Sequence, residues 1–110
     1  MKYAVPLVEG KLSMHFGHCQ EFALVDTDDS VVTGMKTVVP PAHSPGVLPA
    51  WLAEQGADVI IAGGMGSRAQ GLFRQNGIEV IVGAPVDDPE ALVKMHLAGA
   101  LESGENVCDH

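Results

Sequence analysis

The chain has 110 residues, 46% hydrophobic and 18% charged, with a formal net charge of −8. Its length fits one domain with a proper core, and apolar residues recurring throughout exclude a disordered chain. The six Lys and Arg residues are scattered, which opposes a nucleic-acid or anionic-membrane surface, since both need clustered positive charge.

No apolar run approaches the roughly 20 residues of a transmembrane helix. The start, Met1 to Val8, is too short for a signal peptide and runs into Glu9. A cytoplasmic address is expected, where Cys19 and Cys108 serve as thiols or ligands rather than a disulfide.

Lys2 to Val8 is nearly all apolar and predicts a central strand buried on both faces. Pro6 cannot donate a ladder hydrogen bond, so the strand must lack a neighbour there or carry an irregularity. Glu9 to Leu12 turns the chain into a loop. Glu21 to Thr27 predicts a second strand, with Phe22 and Leu24 alternating against Ala23 and Val25. Asp28-Asp29-Ser30 is turn chemistry. Val31 to Val39 is the third strand, antiparallel to the second.

Pro40 to Gly46 is a connecting loop. A helix from Val47 to Gln55 follows, with Val47, Leu48, Trp51 and Leu52 on one face and Gly56 as its stop. Asp58 to Ala62 is a short buried strand, and Gly63-Gly64-Met65-Gly66 turns out of it. Ser67 is the expected cap of a helix from Arg68 to Asn76 that ends at Gly77. Ile78 to Val82 is the last strand. Asp88 and Pro89 open a helix to about Leu101. The order β-β-β-α-β-α-β-α implies a five-stranded mixed sheet with helices on both faces. Residues 1–102 form the expected domain, and 103–110 a polar tail.

The chemistry concentrates in Ser13-Met14-His15-Phe16-Gly17-His18-Cys19. Imidazole and thiolate from His15, His18 and Cys19 suit zinc, copper or iron–sulfur species rather than magnesium or calcium. Phe16 would shield such a site and Gly17 would let the backbone bend. The plainer reading makes Phe16 core and the histidines solvated. Cys108-Asp109-His110 holds a second set of soft ligands, Cys108 and His110, which a folded-back tail would bring in; a frayed end is its plainer reading.

The glycine-rich turn Gly63-Gly64-Met65-Gly66 lies between strand and helix, where backbone N–H groups and the helix dipole receive anions. It matches neither a P-loop nor a dinucleotide fingerprint. A metal–sulfur core is itself an anion, and Arg68 would add positive charge. His43 is a further candidate ligand and Met65 a candidate thioether. His96 reads as structural. Asp26, Asp28 and Asp29 read as solvated turn carboxylates. No nucleophile elbow or similar catalytic signature is present, so the chain is expected not to be an enzyme.

Taken in order, Ser13 to Cys19 with Glu21-Phe22, His43-Ser44-Pro45-Gly46, Ala62 to Gly66 and Gly77 to Val80 resemble the dinitrogenase iron–molybdenum cofactor-binding domain, the NifX-like group. The resemblance spans Lys2 to about Leu101. It implies a ribonuclease H-like three-layer α/β/α fold. It also implies a small non-enzymatic carrier of iron–sulfur or molybdenum-containing metal–sulfur clusters. Its partners would be metallocofactor assembly proteins, such as an iron–sulfur-carrying ATPase of the Mrp type, and the chain would be a monomer or homodimer. A structural zinc domain or metal-sensing regulator is the alternative, and a thiol redox or hydrolytic enzyme using Cys19 a further one.

Overall fold

The computed structural model describes residues 1–14, 19–41 and 47–99. They form a mixed α/β domain: β1 (Lys2–Val8), β2 (Lys11–Leu12), β3 (Glu21–Asp28), β4 (Val31–Val38), α1 (Val47–Glu54), β5 (Val59–Ile61), α2 (Ser67–Gln75), β6 (Glu79–Ile81) and α3 (Pro89–Leu97). The sheet order is β4-β3-β1-β5-β6, with β2 paired to β1. The two-residue β2 is an addition to the strands expected from sequence. Sequence alone makes Lys11 and Leu12 part of the turn into the loop.

β1 is central. It runs antiparallel to β3, and parallel to β5 at Tyr3 and Ala4. Its side chains alternate between two cores, as strand geometry requires. Ala4 joins Phe22, Leu24, Ile60, Leu48, Leu52 and Phe73 under α1 and α2. Tyr3, Val5 and Leu7 join Ala23, Val25, Val59, Ile61, Leu92 and Val93 under α3. Helices therefore cover both faces of the sheet.

The objection raised by Pro6 is answered at the β5 edge of β1. Pro6 pairs with Phe22 on the β3 side, yet its carbonyl accepts from the Ser13 N–H at 2.8 Å on the other side. A strand residue turns its N and its C=O to the same edge, so the missing Pro6 donor also faces that edge. There it falls between the end of the β5 pairing, at Ala4, and the start of the β2 pairing, at Leu7.

Two helix stops follow the sequence signals. Gly56 has φ 86° and Gly77 has φ 77°. Ala57 N–H reaches Leu52 O and Ile78 N–H reaches Phe73 O, both at 3.0 Å, the paired closure that a left-handed glycine permits. Ser67 does not cap α2 as expected. It is the helix's first residue, and Gly66 holds the cap position without a side-chain bond. Asp88 does take the cap position of α3, with Pro89 next, but its side chain makes no capping bond. Its backbone N–H instead meets Asp87 Oδ1 at 2.8 Å. α3 ends at Leu97, short of Leu101, because Gly99 turns left-handed at φ 73°.

The β3–β4 hairpin closes through Asp29 (φ 49°) and Ser30 (φ 64°). This double left-handed turn matches strand twist but costs each side chain about 1 kcal/mol. Ser30→Gly removes that steric cost, while the added freedom of the unfolded chain offsets part of the gain. The net expectation is a stabilisation of about 0.5 kcal/mol, seen as a higher midpoint in urea with an unchanged slope. A lower midpoint would show that the Ser30 side chain stabilises the turn.

Candidate functional site

The sheet has one end to which the chemistry-bearing loops are led. β1, β5 and β6 run parallel and finish there. Val38, the last residue of β4, pairs with Phe22 beside that same end. The loop before β3, the loop after β4 and the glycine-rich turn after β5 therefore share the carboxyl edge of the parallel strands, where open α/β sheets hold ligands.

The loop carrying the soft ligands is pinned at both feet. Ser13 N–H donates to Pro6 O at 2.8 Å, and Gln20 N–H donates to Leu7 O at 2.7 Å. Adjacent carbonyls on a strand face opposite edges, so Ser13 and Gln20 are held on the two sides of β1. Leu12 N–H adds a tie to Asp87 O at 3.1 Å.

Gly63 joins this loop to the glycine-rich turn. A Cβ on Gly63 would lie 3.0 Å from Ser13 O and 3.1 Å from both the Cα and the O of Met14. Those neighbours are backbone and cannot swing aside. From the other side, Gly83 N–H holds Gly63 O at 2.7 Å and Ala84 N–H holds Ala62 O at 3.2 Å. Gly63 is thus a packing contact between two loops, and its bare side faces the foot of the ligand loop. Ser13, buried at 3% exposure, and Met14, exposed beside it, open the stretch singled out from sequence but carry no expected role there, because a Ser-Met pair holds no signal for such a contact.

Gly64 is buried, and Gly66 is half-buried at the start of α2. The first turn of α2 holds no acid, and Arg68 there is exposed, so the positive end of the helix dipole is not neutralised by its own residues. Met65 is 1% exposed and belongs to the α1–α2 core, in one cluster with Cys19, Phe22 and Leu48. Its carbonyl accepts from Gln70 Nε2 at 2.9 Å.

Cys19 is 8% exposed. Burial pushes its thiol up to about 11, against a small opposing effect of a backbone hydrogen bond. A thiol held neutral opposes nucleophilic or redox chemistry by a standing thiolate. It still fits a ligand that loses its proton as a cation arrives.

His15, Phe16, Gly17, His18, His43, Cys108 and His110 lie outside the described residues. Among the described residues, no three His, Cys, Asp or Glu side chains come together as a metal-holding group. His96 belongs to the opposite end of the sheet. Its Nδ1 lies 2.7 Å from the Oη of buried Tyr3, near the start of β1, with the rings edge-to-face at 5.4 Å. Burial, and then the Glu79 charge, raise the Tyr3 pKa, which keeps the phenol neutral and able to donate. Asp26 lies at that end too, 3.9 Å from Lys2 Nζ. α3 therefore delivers Gly99 far from the loops. The nine residues from there to Cys108 span up to about 30 Å when extended, against about 20 Å for β1.

The family model described as dinitrogenase iron-molybdenum cofactor matches residues 1–99. The uncharacterized protein MJ0580 of Methanocaldococcus jannaschii is 32% identical over 110 residues, 96% of this chain and 92% of that one. The crystal structure of PH0822 matches with a TM-score of 0.84 at 30% identity, covering 94% of this chain and 96% of that one. The apo form of the orange protein from Desulfovibrio gigas matches with a TM-score of 0.75 at 23% identity, covering 96% and 93%. This last likeness is one of fold.

Two outcomes follow from the geometry. Gly63→Ala should cost about 1–3 kcal/mol and shift the Ser13 and Met14 amide resonances. Gly71→Ala, in open space within α2, should stabilise by up to about 1 kcal/mol. Equal, small effects of the two would remove the contact assigned to Gly63. In a Cys108→Ser chain, the remaining thiol should react with a disulfide reagent near pH 8 about 100-fold more slowly than an ordinary cysteine, as a shift from 9.0 to about 11 requires. Because the native state keeps a proton that the unfolded chain loses in that window, the Cys19 contribution to stability is complete below pH 9 and lost as the pH rises to about 11. Rapid labelling of the folded chain would contradict the buried placement.

Proposed function

Because the chain belongs to the dinitrogenase iron–molybdenum cofactor family, we propose that it receives a metal–sulfur cluster of iron–sulfur or iron–molybdenum type as cargo. It then holds the cluster at the carboxyl end of the sheet and passes it to an assembly partner. The observation that carries this reading is the packing of Gly63 on Ser13 and Met14. It sets the foot of a loop rich in soft ligands against an anion-receptive turn.

In this reading His15, His18 and Cys19 are the primary ligands, with Phe16 and Gly17 shaping the loop around them. His43 comes from the loop after β4 at the same end. Gly64, Met65 and Gly66 offer backbone to the anionic face of the cargo, Gly63 holds the two loops in register, and Arg68 adds charge. Cys108 and His110 close the site from the tail. The protein makes and breaks only ligand bonds to the cluster and acts as a carrier rather than a catalyst.

Two buried clusters fill both faces of the sheet among the described residues, which favours a carrier over a zinc domain that needs its metal to fold. The raised Cys19 thiol favours it over a redox enzyme. With the short β2 set aside, the sheet order supports the ribonuclease H-like class. Among the described residues no helix is long and apolar enough to cross a membrane. We place the exchange in the cytoplasm, with an Mrp-type iron–sulfur carrier ATPase as one candidate partner.

The test is anaerobic reconstitution with ferrous iron and sulfide, and separately with tetrathiomolybdate, read by absorption and elemental analysis. The single tryptophan, Trp51, reports from the same core: its ring centroid lies 5.9 Å from that of Phe22. Cargo uptake with quenching of Trp51 is expected in the wild type and loss of both in His15→Ala/His18→Ala/Cys19→Ala. A chain ending at Ser103 should load but release faster. No uptake in the wild type, or equal uptake in the triple variant, would overturn the ligand assignment.

A further inference from the structure

On the α3 side of the sheet, part of β4 is left open. Met35 and Thr37 oppose Val25 and Ala23, both clear of the register shift at Asp26 and Thr27. Val25 and Ala23 belong to the core under α3, and opposed residues share a face, so Met35 and Thr37 point to that side. Met35 is nevertheless 50% exposed. Leu7 and Glu21 oppose each other on the same face. Between these strands and the start of α3 runs a groove of about 350 Å³, lined by Leu7, Met35 and Pro89 and by Glu21, Asp88 and Glu90. Leu7 and Pro89 are buried, Glu21 is half-buried, and Asp88 and Glu90 are exposed. The groove thus has an apolar bed and an acidic rim.

Charge is not balanced there. The chain has six Lys and Arg residues. Lys2 starts β1, at the far end of the sheet. Lys36 opposes Leu24 of the other core. Lys11 opposes Val8, in alternate phase to Leu7, and so also faces away. Arg68 and Arg74 belong to α2, which covers the other face. Lys94 alone is on this side, one turn along α3 and 3.4 Å from Glu90. The helix N-terminus adds about half a positive charge, so the three carboxylates keep an excess of about one to two negative charges. Glu21, on a strand, has no part in opening the helix. Among the described residues neither it nor Asp88 has an ion-pair partner.

We propose that this groove docks a loop or tail of a partner protein through one arginine side chain set among apolar residues. The alkyl stem lies on Leu7, Met35 and Pro89 while the guanidinium reaches the rim, the division of contacts that a long basic side chain makes. A planar guanidinium bonds carboxylates in a fixed fork, and the flexible Met35 thioether adapts to the stem. A divalent cation would use the carboxylates and gain nothing from the apolar bed. The volume is at the small end for a ligand site; it admits a long side chain with part of its neighbours, not a folded surface. Both arginines of this chain are in a helix, so the occupant is a different protein. The groove holds none of the residues assigned to the cargo, and the inference is independent of that reading.

The test is titration of the isotopically labelled full chain, without cargo, with a capped pentapeptide that carries arginine between leucines, followed by amide resonances. Met35, Thr37 and Glu90 should shift saturably. Norleucine in place of arginine should weaken binding about tenfold, as loss of a charge-assisted contact requires. Glu21→Gln should weaken the arginine peptide by a similar factor and leave the norleucine peptide unchanged. Should Glu21→Gln alter the circular dichroism, Met35→Lys serves instead: it sets an ammonium in the groove from an exposed position and should abolish arginine binding. No saturable shift up to about 10 mM peptide overturns the proposal. So do equal binding of the arginine and norleucine peptides, shifts confined to other residues, or an unchanged affinity in the variant chain. Displacement of the peptide by an equal concentration of magnesium or putrescine would make the groove a site for small cations and overturn it as well.

Discussion

A missing hydrogen-bond donor organises this protein. Pro6 sits in the middle of the central strand, buried on both faces, where an unpaired N–H would be costly but an absent one is tolerated. β5 pairs with the first part of β1 and β2 with the last, and the break between them falls at Pro6. Its free carbonyl catches Ser13. Leu7, facing the other edge, catches Gln20. Ser13 and Gln20, the two feet of the His-Cys loop, are thereby fixed on opposite sides of the strand that holds the sheet together.

The same end joins close packing to a buried thiol. The feet of the loop are backbone hydrogen bonds, and one foot rests against Gly63 with no room for a methyl group. Position there is set by close packing. Cys19, in contrast, is kept protonated in an apolar core shared with Met65. In the proposed carrier role, that neutral buried thiol is the state to which Cys19 returns when the cargo leaves.

The far end has a different character. Tyr3 and His96 lock the last turns of α3 to the start of β1, and Lys2 ties the strand start to Asp58 and to Gln55. These contacts are structural. They also decide where the chain emerges from α3, opposite the ligand loop.

Much of this was legible in the sequence because it is local. The nearly continuous apolar run of Lys2 to Val8 reports a strand buried on both faces, and the alternation in Glu21 to Thr27 reports the strand beside it. Glycines at 56 and 77 report left-handed helix stops. Ser67 misled because a capping residue type does not show whether a glycine before it will take the cap position. The glycine-rich turn and the His-Cys loop were visible as compositions, but their meeting was not, since residues 13 and 63 touch only after β1 and β5 align in parallel. The burial of Cys19, and with it the state of its thiol, is likewise a property of the packed core. Sequence determined which elements form and which soft ligands the chain carries. Tertiary structure decided which of them share an end of the sheet, because strand order and direction, rather than spacing along the chain, bring distant loops together.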